Sequence, residues 1–220
     1  MDMGFEEYLH TLRVWDVELP HFDPEAAPDE PVPLFREWLM HAGRAGQAEP
    51  HTMTLATVDG DGRPDVRTLM LHGADAGGWW FGSHSTSAKG RQLALCPSAA
   101  LGFYWPAVGR QVRVRGAVRP AGFDAAQADL HARSTGALAA ALVGHQSEVL
   151  GSVAELAAAS EAAWVRAAAS PDTPVPTWTQ YVLDPVEVEF FQGDARRRHV
   201  RLRYRRDGGA GAWGRELLWP

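Results

Sequence analysis

The chain has 220 residues, 45% hydrophobic and 22% charged, with a formal net charge of −6 at pH 7. That balance suits one well-packed globular domain and excludes wholesale disorder or a fibrous architecture. The acidic whole argues against a general nucleic-acid binder, and no apolar run approaches the roughly 20 residues that a membrane helix needs.

In chain order, the opening through about Val17 reads as a short helix, and ELPHFDPEAAPDEPVP is an acidic, proline-rich arm without regular structure. Pro33 suits the first turn of an amphipathic helix through LFREWLMHAGRAG, with Leu34, Trp38 and Leu39 on one face and Gly43 near its end. Residues 1–33 are thus an N-terminal arm, and residues 34–220 a single domain. HTMTLATV and DVRTLMLHG, joined by DGDGRP, form a predicted β-hairpin. GWWFGSH is a further strand, followed by a short helical piece around SAKGRQLAL. AALGFYWP and RQVRVRGAVRP are again strands, the second with a face of valines and a face of arginines. Two or three alanine-rich helices follow between about Asp124 and Ala169, and SPDTPVP ends them. TQYVLDPVEVEFFQ, HVRLRYRR and WGRELLWP return to strand composition, with DGGAGA as a loop before the last. Six or seven strands without strand–helix alternation predict an α+β fold, a mainly antiparallel barrel with peripheral helices.

The start MDMGFEEYLH carries acids where a signal peptide has a basic flank, which predicts a cytoplasmic protein. The single cysteine, Cys96, excludes an intramolecular disulfide or a cysteine cluster and reads as a small core residue. The nine histidines show no metal-ligand spacing, so no metal is expected. Positive charge is concentrated at Arg110, Arg113 and Arg115 and again between Arg196 and Arg206, a pattern that suits small anionic ligands.

From about Glu49 onward, five strings carry a resemblance in a matching order and spacing. They are EPHTMTLATVDGDGRPDVRTLML, FGSHSTSAKGRQL, AALGFYWPAVGRQVRVRGAV, GHQSEV and VEVEFFQGDARRRHVRLRYRRD. Together they resemble the pyridoxine 5'-phosphate oxidase family. The resemblance implies a split β-barrel of Greek-key type that forms a homodimer, with FMN in two equivalent clefts at the subunit interface.

It further implies that Arg67 holds the flavin phosphate with Ser87 and Lys89, and that Thr68, Leu69, Met70, Gly82 and Ser83 line the cofactor. Guanidinium and ammonium groups give a phosphate both charge and geometry. Ala88 stands where the family has an arginine, a gap that Ser83, His84 or Ser85 could fill. Gln111, Gln146 and Ser147 match flavin contacts, since neutral amides suit the ring edge. Phe191 stands where the family has tryptophan, and Arg201 matches a contact at the flavin's pyrimidine end.

Arg197 and His199 match the pair that lies over the substrate ring, orienting it or accepting a proton while hydride moves to the flavin and O2 reoxidises it. At the substrate phosphate, the family's lysine, tyrosine, arginine and serine are matched here by His72, Asp129, Arg133 and Ala137. Only the arginine is retained, and an aspartate beside a phosphate dianion is unfavourable. A related branch, the flavin oxidases of phenazine biosynthesis, also loses phosphate contacts. Three functions are compatible with these residues: an FMN oxidase for a diverged substrate such as a reduced aromatic heterocycle, an authentic vitamin B6 phosphate oxidase, and a flavin-binding protein without turnover.

Overall fold

A computed structural model describes residues 3–206 and 211–220. In chain order these form α1 (Phe5–Thr11), α2 (Pro31–Arg44), β1 (Thr52–Val58), β2 (Pro64–Met70), β3 (Gly73–Asp75), β4 (Gly78–His84) and α3 (Ala88–Leu95). After them come β5 (Ser98–Trp105), β6 (Arg110–Pro120), α4 (Phe123–His131), α5 (Thr135–Val143), α6 (Val153–Ala169), β7 (Trp178–Gln192), β8 (Val200–Arg205) and β9 (Gly214–Leu218).

The strands form one sheet in the order β2-β1-β5-β6-β7-β4-β3, with β8 on β7 and β9 on β8. The β1–β2, β3–β4, β4–β7, β7–β8 and β8–β9 ladders are all antiparallel. This is the α+β class expected. The described residues contain nine strands rather than six or seven; β3, only three residues long, has no sequence periodicity to reveal it. The first helix ends at Thr11, short of Val17, and Cys96 caps α3 half-buried rather than lying in the core. Asp207 to Ala210, the start of the expected DGGAGA loop, lie outside the described residues. No helix among those described is long and apolar enough to cross a membrane.

Contacts divide the chain into two compact units. The first comprises the described residues of Met1–His51, Gly102–Arg113 and Glu187–Pro220; the second is Thr52–Leu101 with Val114–Val186. In the first unit, Pro31 opens α2, where its missing N–H costs nothing, and Leu34, Phe35, Trp38 and Ala42 form the buried stripe. Leu39 is only half-buried, and Phe35 takes its place on that face. Trp38 meets Phe22 and Phe190 edge-on at centroid distances of 5.0 and 5.1 Å. Under it lies Arg110, whose guanidinium carbon is 4.1 Å from the indole centroid. Arg110 shares the parity of Val112 and Val114, so the pleat turns it into the core, away from Arg113 and Arg115. Its Nε donates to Gln192 Oε1 at 2.8 Å and its Nη1 to His41 Nδ1 at 3.1 Å. Burial lowers its pKa to about 10.

In the second unit, the β1–β2 register sets Leu55 opposite Arg67 and Thr57 opposite Asp65. Asp59 closes the hairpin loop, its Oδ1 accepting the N–H groups of Asp61 and Arg63 at 2.9 and 2.8 Å. Ser87 caps α3, accepting the Gly90 N–H at 3.2 Å while its hydroxyl donates to the His84 carbonyl at 2.7 Å. Ser134 and Ser152 cap α5 and α6 in the same way.

Trp38 is 1% exposed and carries both the aromatic cluster and the Arg110 stack. Trp38→Ala is expected to destabilise the protein by roughly 3–5 kcal/mol, read as a lower urea midpoint with an unchanged slope.

Candidate functional site

The predicted site residues fall into two groups, one in each compact unit. The larger lies in the second unit and begins with Arg67 on β2. Its Nη1 donates to Thr57 Oγ1 at 2.5 Å, and its Nη2 donates to Asp65 Oδ2 at 2.6 Å and Gln92 Oε1 at 2.9 Å. Gln92 in turn donates from Nε2 to Asp65 Oδ2 at 3.1 Å. The Gln92 hydrogen bond, helped by the Arg67 charge, holds the Asp65 carboxyl below its usual range against the opposing effect of desolvation. Thr68 and Met70 are exposed on the same strand, and Leu69 is half-buried.

Lys89 sits in the first turn of α3, only 6% exposed. Its ammonium donates to Gln146 Oε1 at 3.0 Å and to Ser87 Oγ at 3.4 Å, with no carboxylate partner among the described residues. Burial first, and the Arg67 charge second, push its pKa down to about 8, with Asp65 opposing. Ser83 Oγ lies 3.3 Å from Ser87 Oγ and donates to Gln146 Oε1 at 3.2 Å. Ser147 accepts the Ala88 N–H at 3.1 Å. Of the three candidates for the Ala88 gap, Ser83 alone joins this cluster. His84 is held by Thr177 Oγ1 at 2.8 Å, and exposed Ser85 donates to the Thr177 carbonyl at 3.3 Å.

Next to Ser83, Gly82 leaves room for two rings. A Cβ there would fall 2.7 Å from His72 Cε1 and 2.4 Å from Trp178 Cζ2. His72 Nδ1 lies 2.9 and 3.1 Å from the two carboxylate oxygens of Asp129 on α4, and Arg133 contacts His72 Nε2. Trp178 Nε1 lies 3.5 Å from Asp129 Oδ2. Burial alone would raise the Asp129 pKa, but His72, Trp178 and Arg133 outweigh it and lower it. Ala137, half-buried on α5, offers only a methyl group.

The second group belongs to the first unit. The 194–199 turn is organised by Asp194, whose Oδ1 accepts the N–H groups of Arg196 and Arg198 at 2.7 and 3.3 Å. The Asp194 N–H donates to His199 Nδ1 at 3.0 Å. A ring nitrogen that accepts carries no proton, so neutral His199 bears its proton on Nε2. His199 packs against Phe191 at 5.1 Å and edge-on to Trp15 at 5.5 Å. Arg201 donates from Nε to Glu189 Oε1 at 2.9 Å and from Nη1 to the Trp219 carbonyl at 2.8 Å. Arg197, His199, Arg201, Leu217 and Trp219 border a cleft of about 610 Å³. Gln111 is half-buried on β6.

Comparison with known proteins fits this arrangement. The family profile described as pyridoxamine 5'-phosphate oxidase matches residues 39–167, and that of the pyridoxine 5'-phosphate oxidase C-terminal dimerisation region matches residues 178–220. The chain belongs to this family. A pyridoxine/pyridoxamine 5'-phosphate oxidase of Pseudomonas paraeruginosa is 40% identical over 88% of this chain and 90% of its own length. One from Ectopseudomonas mendocina is 43% identical with the same coverage. Among solved structures, PhzG from Burkholderia lata, in complex with tetrahydrophenazine-1-carboxylic acid, superposes with a TM-score of 0.84. It is 32% identical over 94% of this chain and 100% of its own. This likeness carries the split-barrel fold of the oxidase family over to the chain.

Several residues of the two groups escaped the sequence reading. Thr57, Asp65 and Gln92 immobilise Arg67; the even spacing of Thr57, Asp65 and Arg67 across a predicted hairpin was the available signal. Asp194, Glu189 and Trp15 act through contacts 5 to 184 residues away in sequence, for which no local pattern exists.

Two predicted site residues, Ser147 and Arg197, have left-handed backbones, with φ of 74° and 64°. Both residues are exposed, and a left-handed backbone costs a non-glycine residue about 1 kcal/mol or more. Arg197→Gly is therefore expected to raise stability by up to about 1 kcal/mol while abolishing turnover, checked by urea denaturation alongside an activity assay.

Proposed function

We propose that this chain is an FMN-dependent oxidase that works as a cytoplasmic homodimer, with FMN at the subunit interface and a substrate other than vitamin B6 phosphate. The observation that carries the cofactor is the buried Lys89 ammonium, which has hydroxyl and amide neighbours, an Arg67 cation nearby and no carboxylate of its own among the described residues. A buried ammonium repelled by a neighbouring guanidinium is stabilised by an anion, and a phosphate monoester supplies one. Arg67, Ser83, Ser87, Lys89, Gln146 and Ser147 would hold that phosphate. Thr68, Leu69, Met70, Gly82, Gln111, Phe191 and Arg201 would meet the rest of the flavin. Four of the proposed site residues, Phe191, Arg197, His199 and Arg201, lie within the matched C-terminal dimerisation region, which favours assembly with a second copy.

Bound flavin would accept a hydride from the substrate and pass the electrons to O2, giving hydrogen peroxide. The chain's own work is positioning. His199, with its proton on Nε2, donates a hydrogen bond to the substrate instead of taking a proton from it. Arg197 projects from a strained turn beside it and brings positive charge to the same cleft. In the second unit, His72, Asp129, Arg133 and Ala137 would meet the substrate's acidic group. PhzG binds a reduced aromatic heterocycle with a carboxylate, and a substrate of that class fits here.

A second reading is favoured by the relatives named pyridoxine/pyridoxamine 5'-phosphate oxidase, 40–43% identical to this chain in the examples above. Assay with pyridoxine and pyridoxamine phosphates separates the two. Efficient formation of pyridoxal phosphate would establish the vitamin oxidase and sink the diverged substrate.

The cofactor reading has its own test in pH dependence. Free Lys89 loses its proton near pH 8, well below its ordinary 10.5, and a phosphate partner raises that pKa in the complex. Above pH 8 binding must therefore take up a proton. The Kd for FMN should be level just below that point and rise by up to about tenfold per pH unit above it. Flavin fluorescence quenching between about pH 7 and pH 9.5 measures this, and Lys89→Met should weaken binding and flatten the slope.

A further inference from the structure

An imidazole stands between opposite charges in the second unit. A guanidinium can only donate and a carboxylate can only accept, so the hydrogen bonds have one arrangement. Arg133 donates to His72 Nε2, and His72 Nδ1–H donates to Asp129 at 2.9 Å. His72 is then uncharged, and Arg133 and Asp129 sum to zero. The arrangement is held firmly: the side chains of His72 and Asp129 are each 11% exposed, and the bare backbone of Gly82 lets the His72 and Trp178 rings approach. Arg133 is half-buried.

We propose that Asp129 is the specificity-determining residue of the substrate pocket, selecting a ring substrate with a single carboxylate and rejecting a phosphate dianion. This deepens the function proposed above and rests on it, because it takes His72, Asp129 and Arg133 as facing the substrate.

The selection is electrostatic. A carboxylate can take the planar fork of Arg133 by two parallel hydrogen bonds, leaving His72 on Asp129. A dianion brings a second negative charge to the same place, next to a carboxylate that is itself shielded from water, where like charges interact more strongly than in solvent. Ala137 contributes no hydroxyl to offset it. Asp129 therefore acts at a distance from the reacting atoms, through the charge it imposes on Arg133.

Binding calorimetry on the full-length protein incubated with excess FMN provides the test, with phenazine-1-carboxylate and pyridoxal 5'-phosphate as probes. The carboxylate should bind at least about tenfold more tightly than the phosphate, equivalent to about 1.4 kcal/mol. Asp129→Asn, which keeps the shape and removes the charge, should shift the ratio of the two Kd values by about tenfold towards the phosphate, whereas Asp129→Glu should preserve it. Arg133→Gln should weaken both probes. A wild-type preference for the phosphate overturns the proposal, and so does a ratio that moves less than about threefold in Asp129→Asn. Identical behaviour of the Asn and Glu variants overturns it too, since shape rather than charge would then be responsible. The flavin absorbance of the same samples reports separately on the cofactor. A protein that takes up no FMN yet shows the charge-dependent preference supports Asp129 while removing the oxidase function.

Discussion

A buried ammonium within reach of a second cation is the constraint around which the site in the second unit is built. Lys89 is held out of water with no carboxylate partner among the described residues, and Arg67 repels it. Such an arrangement persists only because stronger features impose it. The β1–β2 register places Arg67, the Thr57–Asp65–Gln92 network clamps it, and the Ser87 cap starts α3 so that Lys89 falls in its first turn. Under the proposed function, a phosphate would give Lys89 the counter-charge that it lacks among the described residues, beside an Arg67 already paired with Asp65.

Several other cations are paired locally. Glu189 takes both Arg113 and Arg201, and its own pKa is lowered by them in spite of burial. Arg203 pairs with Glu187 and Glu216. Arg133 is balanced by Asp129 through His72. Arg110 lacks a carboxylate contact but is stacked on Trp38 and bonded to Gln192 and His41, which makes it part of the core. In a chain with 21 lysines and arginines, abundance of charge says little, and a buried ammonium with no carboxylate partner among the described residues is the informative one.

The His199 turn illustrates how backbone strain and hydrogen bonding combine. Asp194 gathers two N–H groups on its side chain and gives its own to His199, which forces Arg197 into a left-handed conformation between them. Beside it, Gly193 leaves the space that the Trp15 indole fills, since a Cβ there would stand 2.8 Å from the ring. The N-terminal segment is thereby tied, through Trp15, to the 194–199 turn.

Periodicity determined a good deal of this protein by itself. The β1–β2 hairpin, β4, β6, the capped α3 and the three alanine-rich helices all follow from local patterns of apolar residues, turn formers and caps, because the forces that select them act within a few residues. The order of short motifs was enough to reveal the family. Tertiary structure alone decided which charges cancel. Sequence placed Arg110 among the basic residues, and the pleat buried it; sequence set Asp129 against a phosphate, and the fold joined it to His72, 57 residues away. Whether a charge is free or paired depends on partners brought together by the closure of the chain, and no local pattern encodes them.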